Sequence, residues 1–252
     1  MTDPRKEIFD TVRRAAPAGV FDDPGNILAL DNLLDALGVE REETSAYRLG
    51  SLSERYESGG RGPGTVSTGR GDPGGVSYGT YQLSSRAGTV AAFVAGEGAR
   101  WAAIFGAAKP GSDTFSARWK DIAEREPDAF AEAQHAFIER THYRPAVQAV
   151  LDTTGLDLDS RHNAIRDATW SCAVQHGGAA KILSAAVASV DKAIKRTSSL
   201  YDRQLLDRIY TERSQYVRNV AARLPARQAE TLLAMVRNRY PDEFARARRM
   251  MA

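Results

Sequence analysis

Two carboxylates on either side of a glycine-rich stretch are the side chains best suited to acid–base chemistry. Glu57 ends an amphipathic stretch just before Ser58-Gly59-Gly60, and Asp72 lies in the turn sequence Gly71-Asp72-Pro73-Gly74. The negative end of a helix dipole disfavours an ionised carboxylate by roughly 0.3–1 kcal/mol, so we expect the pKa of Glu57 to rise and the group to keep its proton. Asp72, in a hydrated turn, is expected to be ionised. A protonated acid and an ionised carboxylate are the pair with which a glycosidase works.

Structural roles for the same two residues remain open. Glu57 could be a solvated helix residue, and Asp72 could serve turn formation, which aspartate before proline favours. If Asp72 is not the base, Asp167 is the next candidate.

The elements around these acids are predicted from periodicity and turn signals. Leu49, Leu52 and Tyr56 share one helical face, which predicts a helix over 48–57. Nine of the 21 glycines lie between Gly59 and Gly79, around two β-prone pieces at 65–68 and 76–81. We therefore expect a small hairpin or three-stranded sheet directly after the helix that ends at Glu57.

The remainder of the sequence has helical periodicity. Helices are also predicted at 5–17, 24–38, 86–106, 115–126, 127–150, 160–176, 179–196, 200–222, 226–238 and 241–250. The expected fold is α+β and predominantly helical, with a small N-terminal helical segment (1–45) and a catalytic domain (46–252).

Two groups of side chains are candidates for substrate binding. Ser77, Tyr78, Thr80 and Gln82 follow the second acid on a predicted strand, where alternate hydroxyl and amide groups would face a cleft. Gln175 and His176 end a predicted helix. A histidine there would also favourably face the negative end of the helix dipole, which is an equally open structural role.

Rival chemistries have weaker sequence support. Cys172 and His176 share a helix face, but a nucleophilic cysteine usually lies at a helix N-terminus, and Cys172 is near the C-terminal end. The four histidines show no spacing typical of a zinc site, and no nucleic-acid recognition motif occurs. We expect no metal and no cofactor.

Composition further restricts the class of protein to which the chain can belong. The chain has 252 residues, 42% hydrophobic residues, a net charge of +2 and one cysteine, with arginines concentrated in residues 195–252. This composition supports a folded core and excludes a disulfide framework. The sequence lacks a signal peptide and any apolar run that could span a membrane, so we expect a soluble protein made in the cytoplasm.

Three sequence runs carry a family resemblance. The runs 56–69 and 71–82, with 170–178 downstream, resemble chitosanase-like, lysozyme-superfamily domains of phage endolysins and of the muramidase extension on some type VI secretion VgrG spike proteins. Less specifically, the N-terminal segment resembles a short helical leader of phage-type proteins.

The resemblance implies a lysozyme-like, two-lobed fold with Glu57 as general acid and Asp72 as the base of an inverting reaction. The implied activity is cleavage of the β-1,4 bond between N-acetylmuramic acid and N-acetylglucosamine in peptidoglycan, in the periplasm of a lysed host or a target cell. Implied partners are the glycan strands and either a periplasmic immunity protein or a phage holin pathway. A non-catalytic wall-binding or virion-associated module, a chitosanase and a cell-wall peptidase remain alternatives.

Overall fold

The structure is a computed structural model. It describes residues 4–17, 19–22, 26–27, 29–30, 33–34, 37, 39, 47–53, 62–70 and 74–251. Within these ranges the chain is mainly helical. In chain order the helices are α1 Pro4–Ala15, α2 Thr89–Ala95, α3 Ala102–Phe105, α4 Asp113–Arg125, α5 Pro127–Ile138, α6 Arg144–Thr154, α7 Asn163–Gln175, α8 Ala179–Asp191, α9 Tyr201–Ala221, α10 Ala226–Ala234 and α11 Tyr240–Arg249.

Shorter helical segments connect or precede these helices. Three-residue 3-10 turns lie at Val20–Asp22, Ala99–Trp101 and Leu158–Ser160, and π-helical turns lie at Glu139–Tyr143 and Met235–Arg239. Residues 26–27, 29–30, 33–34 and 51–53 are also helical.

Strand β1 (Ser77–Tyr78) pairs with β2 (Leu83–Ser84) as an antiparallel hairpin, with Ser77 opposite Ser84 and Tyr78 opposite Leu83. Val66 adds an antiparallel bridge to Tyr78 on the other side of β1. The prediction of a predominantly helical α+β fold with a small hairpin in the glycine-rich region is therefore confirmed.

The predicted helix boundaries differ from the structure where glycines and caps intervene. The expected helix at 86–106 is broken into α2, a 3-10 turn and α3, because the chain turns at Gly96 and Gly98 and both amides donate to the carbonyl of Phe93. The helix expected from residue 160 begins at Asn163, since the His162 side chain accepts a hydrogen bond from the Ala164 amide as an N-cap does.

The chain forms two compact units. Residues 1–48 and 54–137 make up unit 1, and residues 49–53 and 138–252 make up unit 2. The division expected near residue 45 from the sequence stays a prediction. No helix among the described residues has the length and apolar content needed to cross a membrane.

Unit 1 has an aromatic core around Trp119. The Trp119 ring lies 4.7 Å from Phe130, 5.2 Å from Tyr78 and 5.5 Å from Phe93, measured between centroids. Edge and tilted contacts of this kind add to the free energy gained from burying the rings. Because Tyr78 belongs to β1, this core fixes the hairpin to α2, α4 and α5.

Unit 2 has an aliphatic core built by α6 to α9 and α11. Ile165, Leu183, Leu205 and Ile209 are fully buried within it. The core also includes Leu52, so the short helical segment 51–53 is packed within unit 2.

Candidate active site

The two predicted catalytic acids lie outside the described residues. Glu57 falls within 54–61 and Asp72 within 71–73, so their catalytic roles stay predictions. The structure does describe the residues that precede and follow each of them.

The segment that leads to Glu57 begins on a buried carboxylate. Asp167 on α7 is fully buried, and its Oδ1 accepts a hydrogen bond from the Gly50 amide at 2.8 Å. Its Oδ2 accepts from the Leu52 amide at 2.9 Å and from the Ser51 hydroxyl at 3.1 Å. The first amides of a helix have no partner within the helix, and an anion there is favoured by the helix dipole. Asp167 therefore acts as a cap supplied from another helix.

The hydrogen bonds of Asp167 bear on its expected role as an alternative catalytic base. Asp167 is the alternative catalytic base expected from the sequence, but both of its oxygens accept hydrogen bonds from residues 50–52 and no part of it is exposed. The structure assigns this carboxylate to holding residues 50–52 rather than to proton transfer to a substrate.

The residues on either side of 71–73 pair with each other. The Ser67 amide donates to the Ser77 carbonyl at 2.9 Å, and the Gly79 amide donates to the Thr65 carbonyl at 2.7 Å. The Ser67 hydroxyl also accepts from the Ser77 amide at 2.8 Å. After residues 71–73, the Gly74 carbonyl accepts from the Ser84 hydroxyl at 2.6 Å. The flanks of the Asp72 segment are thus fixed by main-chain and hydroxyl hydrogen bonds.

Gln134 on α5 joins two turns of this region. Its Oε1 accepts from the Thr80 amide at 3.0 Å, and its Nε2 donates to the Pro63 carbonyl at 3.1 Å, which also accepts from Trp119 Nε1 at 2.8 Å. The Gln134 side chain is fully buried. Sequence reasoning did not find this residue, because a single glutamine in an amphipathic helix gives no signal of its partners.

A glycine is required where the hairpin approaches Gln134. Gly79 has a φ of +75°, and a Cβ there would lie 2.7 Å from Gln134 Cδ and closer still to Oε1. The left-handed backbone and this approach together exclude a side chain at position 79.

The four hairpin residues predicted to bind substrate occupy different environments. Tyr78 is 0% exposed, and its hydroxyl is within hydrogen-bond distance of Ser116 Oγ (2.8 Å) and accepts from the Gly111 amide (2.9 Å). We therefore assign Tyr78 to the core that supports the hairpin. Ser77 and Thr80 are also buried, and Gln82, half-buried with a φ of +53°, donates from Nε2 to the Gly79 carbonyl at 2.9 Å. Substrate contact by Ser77, Thr80 and Gln82 stays a prediction.

Gln175 and His176 belong to a buried polar network in unit 2. Gln175 Oε1 accepts from Arg213 Nη2 at 2.9 Å and from the Tyr240 hydroxyl at 2.8 Å. His176 Nε2 lies 2.9 Å from the same hydroxyl, so the neutral ring donates to it. Both predicted binding residues thus have their side chains engaged inside unit 2.

The expected interaction between a charged His176 and the helix dipole is wrong. Burial, together with the positive charges of Arg213 and Arg239, lowers the pKa of His176 to about 4. The ring is therefore neutral at pH 7, and its contribution is the hydrogen bond to Tyr240.

The centre of this network is a buried ion pair. Arg213 Nη1 donates to Glu243 Oε1 at 3.0 Å, and both side chains are 0% exposed. Arg239 donates to Glu243 Oε2 at 3.0 Å, and Tyr210 donates to Oε1 at 2.9 Å. Burial alone would raise the pKa of Glu243, but the two arginines hold it at about 2.

The alternative chemistries gain no support from the described residues. Cys172 is fully buried, and burial raises the pKa of its thiol to about 12, so it is no activated nucleophile. The described part of the chain contains no cluster of three or more metal-ligating side chains.

Comparison with known proteins identifies the family. Residues 49–243 match the sequence model of the family described as "Type VI secretion system spike protein VgrG3-like, C-terminal". Since the match spans more than half of the chain, the protein belongs to this family. It is similar to the type VI secretion system spike protein VgrG3 of Vibrio cholerae serotype O1, with 41% identity over 160 residues. The alignment covers 63% of this chain and 15% of that relative, so the chain corresponds to a small part of the relative's length.

The family assignment corrects one expectation from the sequence. The assignment to a chitosanase-like, lysozyme-superfamily group is wrong, because the matching family is that of the VgrG3-like C-terminal region and neither description names a lysozyme, muramidase or chitosanase. The association with type VI secretion is supported.

Proposed function

We propose that this chain is the antibacterial effector region of a type VI spike protein and that it hydrolyses peptidoglycan as a muramidase. The bond cleaved is the β-1,4 link between N-acetylmuramic acid and N-acetylglucosamine. Membership in the spike-protein family favours a secretion effector over a phage endolysin. The proposed place of action is the periplasm of a target cell, and a periplasmic immunity protein is the proposed protein partner.

The observation that most supports an enzyme is the hydrogen bonding of Asp167. Both oxygens of a fully buried carboxylate accept hydrogen bonds from residues 50–52, which precede Glu57 in the sequence. Burying such a group is costly unless all of its hydrogen bonds are made, and catalytic groups need support of this kind to keep their geometry.

In the proposed mechanism, Glu57 donates its proton to the glycosidic oxygen as the bond to the anomeric carbon breaks. Asp72 accepts a proton from the water that attacks this carbon on the opposite face. The configuration is inverted, and we expect the two carboxyl groups to lie at least about 6.5 Å apart to leave room for that water.

Digestion of purified sacculi tests the proposal. Wild-type protein should lower the turbidity of a sacculus suspension, while Glu57→Gln and Asp72→Asn should lose most of this activity and keep the melting temperature of the wild type. Mass spectrometry of borohydride-reduced fragments should show reduced N-acetylmuramic acid at the new ends. Reduced N-acetylglucosamine would instead indicate a glucosaminidase.

The same experiment distinguishes an enzyme from a non-catalytic wall-binding module. If wild-type protein sediments with sacculi and never clears them, the chain is a wall-binding module and the enzyme proposal is refuted. Release of peptides without new reducing ends would indicate a peptidase.

A further inference from the structure

A polar cavity of about 380 Å³ lies on the hairpin of unit 1, beside the residues that flank Asp72. Its volume falls in the range of small-molecule sites. The described residues that line it include Thr68, Gly75, Val76, Ser85 and Arg86.

The walls of this hairpin cavity are fixed by main-chain hydrogen bonds. The Ser85 amide donates to the Val76 carbonyl at 2.9 Å, and the Arg86 amide donates to the Gly74 carbonyl at 3.1 Å. These bonds continue the pairing of β1 and β2 toward residues 71–73. The cavity is therefore formed by the same backbone that holds the flank of the Asp72 segment.

The absence of a side chain at Gly75 leaves space beside Ser85 and Arg86. Gly75 has a φ of +75°, and a Cβ there would lie 2.6 Å from Ser85 Oγ and 3.0 Å from Arg86 Cγ. A side chain at this position would be strained and would occupy the space in front of Ser85.

Hydroxyl and main-chain groups dominate the chemistry of the lining. The Ser85 hydroxyl forms no hydrogen bond with any residue that the structure describes. Thr68 also lines the cavity, and its Oγ1 accepts from the Arg70 amide at 3.4 Å, which leaves the hydroxyl proton for a ligand. A half-buried hydroxyl beside main-chain amides and carbonyls is suited to a ligand that is itself rich in hydroxyl and amide groups.

We propose that the hairpin cavity binds one N-acetylhexosamine ring of a glycan strand. This inference rests on the proposed function, because it makes the cavity a subsite beside Gly75, which follows Asp72 by three positions in the sequence. The ring hydroxyls and the acetamido group pair with the hydroxyls of Ser85 and Thr68. Arg86, at the rim, provides a guanidinium that favours a ring with a carboxylate substituent.

Binding to a catalytically inactive variant of the 252-residue chain tests the inference. Titration calorimetry on Glu57→Gln uses two probes, tetra-N-acetylchitotetraose and a tetrasaccharide of alternating N-acetylglucosamine and N-acetylmuramic acid. Adding Ser85→Leu, which fills the cavity, should raise Kd at least tenfold for every probe that binds. Thr68→Leu, from a different wall, should act in the same direction and tests the cavity if Ser85→Leu does not fold.

The matched control places the same substitution in another cavity. Ser189→Leu enters a cavity of about 520 Å³ on unit 2, lined also by Ile194, Gln204 and Thr211, and should leave Kd unchanged. Unchanged Kd in folded Ser85→Leu and Thr68→Leu would overturn the inference, and so would equal weakening by Ser189→Leu.

Comparison of the two tetrasaccharides shows which of the two sugars binds in the cavity. If the alternating tetrasaccharide binds more tightly and Arg86→Gln abolishes this difference, the cavity binds N-acetylmuramic acid. If both probes bind equally, the cavity binds N-acetylglucosamine. If the cavity variants weaken binding but wild-type protein never cleaves sacculi, the proposed muramidase activity fails while the sugar site stands.

Discussion

Replacing Asp167 by asparagine tests whether this carboxylate affects catalysis as well as the stability of the fold. The substitution keeps the size of the side chain but exchanges one acceptor oxygen for an NH₂ group, which would face either the Gly50 amide or the Leu52 amide and its neighbour, the Ser51 hydroxyl. A buried donor without an acceptor costs about 1–3 kcal/mol, and hydrogen bonds to a charged group contribute about 1.5–3 kcal/mol. We therefore expect the free energy of unfolding to fall by about 3 kcal/mol, which lowers Tm by roughly 6–12 °C for a protein of this size.

Activity should fall by more than the loss of folded protein explains. A displacement of about 1 Å at a catalytic group can reduce the rate by about 100-fold, so we expect kcat per folded molecule to fall at least tenfold with little change in KM. Tm is measured by circular dichroism, and kcat by sacculus turbidity at a temperature where both proteins are folded. Asp167→Glu should recover part of kcat, because it restores the carboxylate.

Asp202→Asn is the matched control for Asp167→Asn. Asp202 in unit 2 accepts from the main-chain amide of His162 and from the guanidinium of Arg161, so its loss should also lower Tm. It should leave kcat per folded molecule unchanged. A folded Asp167→Asn variant with wild-type kcat would refute the positioning role, even if its Tm were lower.

Three further predictions follow from the described contacts. Gly79→Ala should lower the free energy of unfolding by about 1–3 kcal/mol from backbone strain alone, and more from the contact with Gln134, as measured by urea denaturation. The pKa of His176, about 4 in the folded state against 6.5 unfolded, means that the unfolded state binds more protons below pH 6.5. The free energy of unfolding should therefore fall by about 3 kcal/mol as the pH is lowered from 6.5 to 4. In His176→Gln, Tm should change less over this pH range. Cys172 should not react with a thiol reagent until the protein is unfolded, and Cys172→Ala should keep its activity on sacculi.

Each of these predictions has a clear contrary result. Gly177→Ala, where an added Cβ meets no atom within 4 Å, is the control for Gly79→Ala, and equal effects of the two would contradict the argument. A Tm that varies with pH equally in wild type and His176→Gln would assign the titration to another group. Rapid labelling of Cys172 in the native state, or inactivity of Cys172→Ala, would restore the peptidase alternative.

The helical architecture could be predicted because it depends on local periodicity. Apolar spacing and Ser, Gly and Pro punctuation gave α7, α8 and α9 to within a few residues at the N-terminus of each. The hairpin region followed from the density of glycine and from alternation. By contrast, β2 at Leu83–Ser84 was not predicted as a separate strand, because two residues are too few to show a pattern.

The support of the candidate site could not be predicted, because it depends on contacts between distant residues. Gly50 and Asp167 are 117 positions apart, and Thr80 and Gln134 are 54 apart. The error at His176 has the same cause. A helix end alone favours a charged imidazole, but Arg213 and Arg239 come close only in the folded unit, and their charges reverse the preference.

The buried ion pair of unit 2 determines how the protein can be shortened. Glu243 is the last residue of the family match and the counter-charge of Arg213, and it lies on the final helix. A chain ending before this helix would enclose a guanidinium in an apolar interior without its anion, a defect that costs several kcal/mol. The C-terminal helix is therefore an integral part of the folding unit. A boundary at residue 243, where the family match ends, would keep the carboxylate but cut its helix after Tyr240–Glu243.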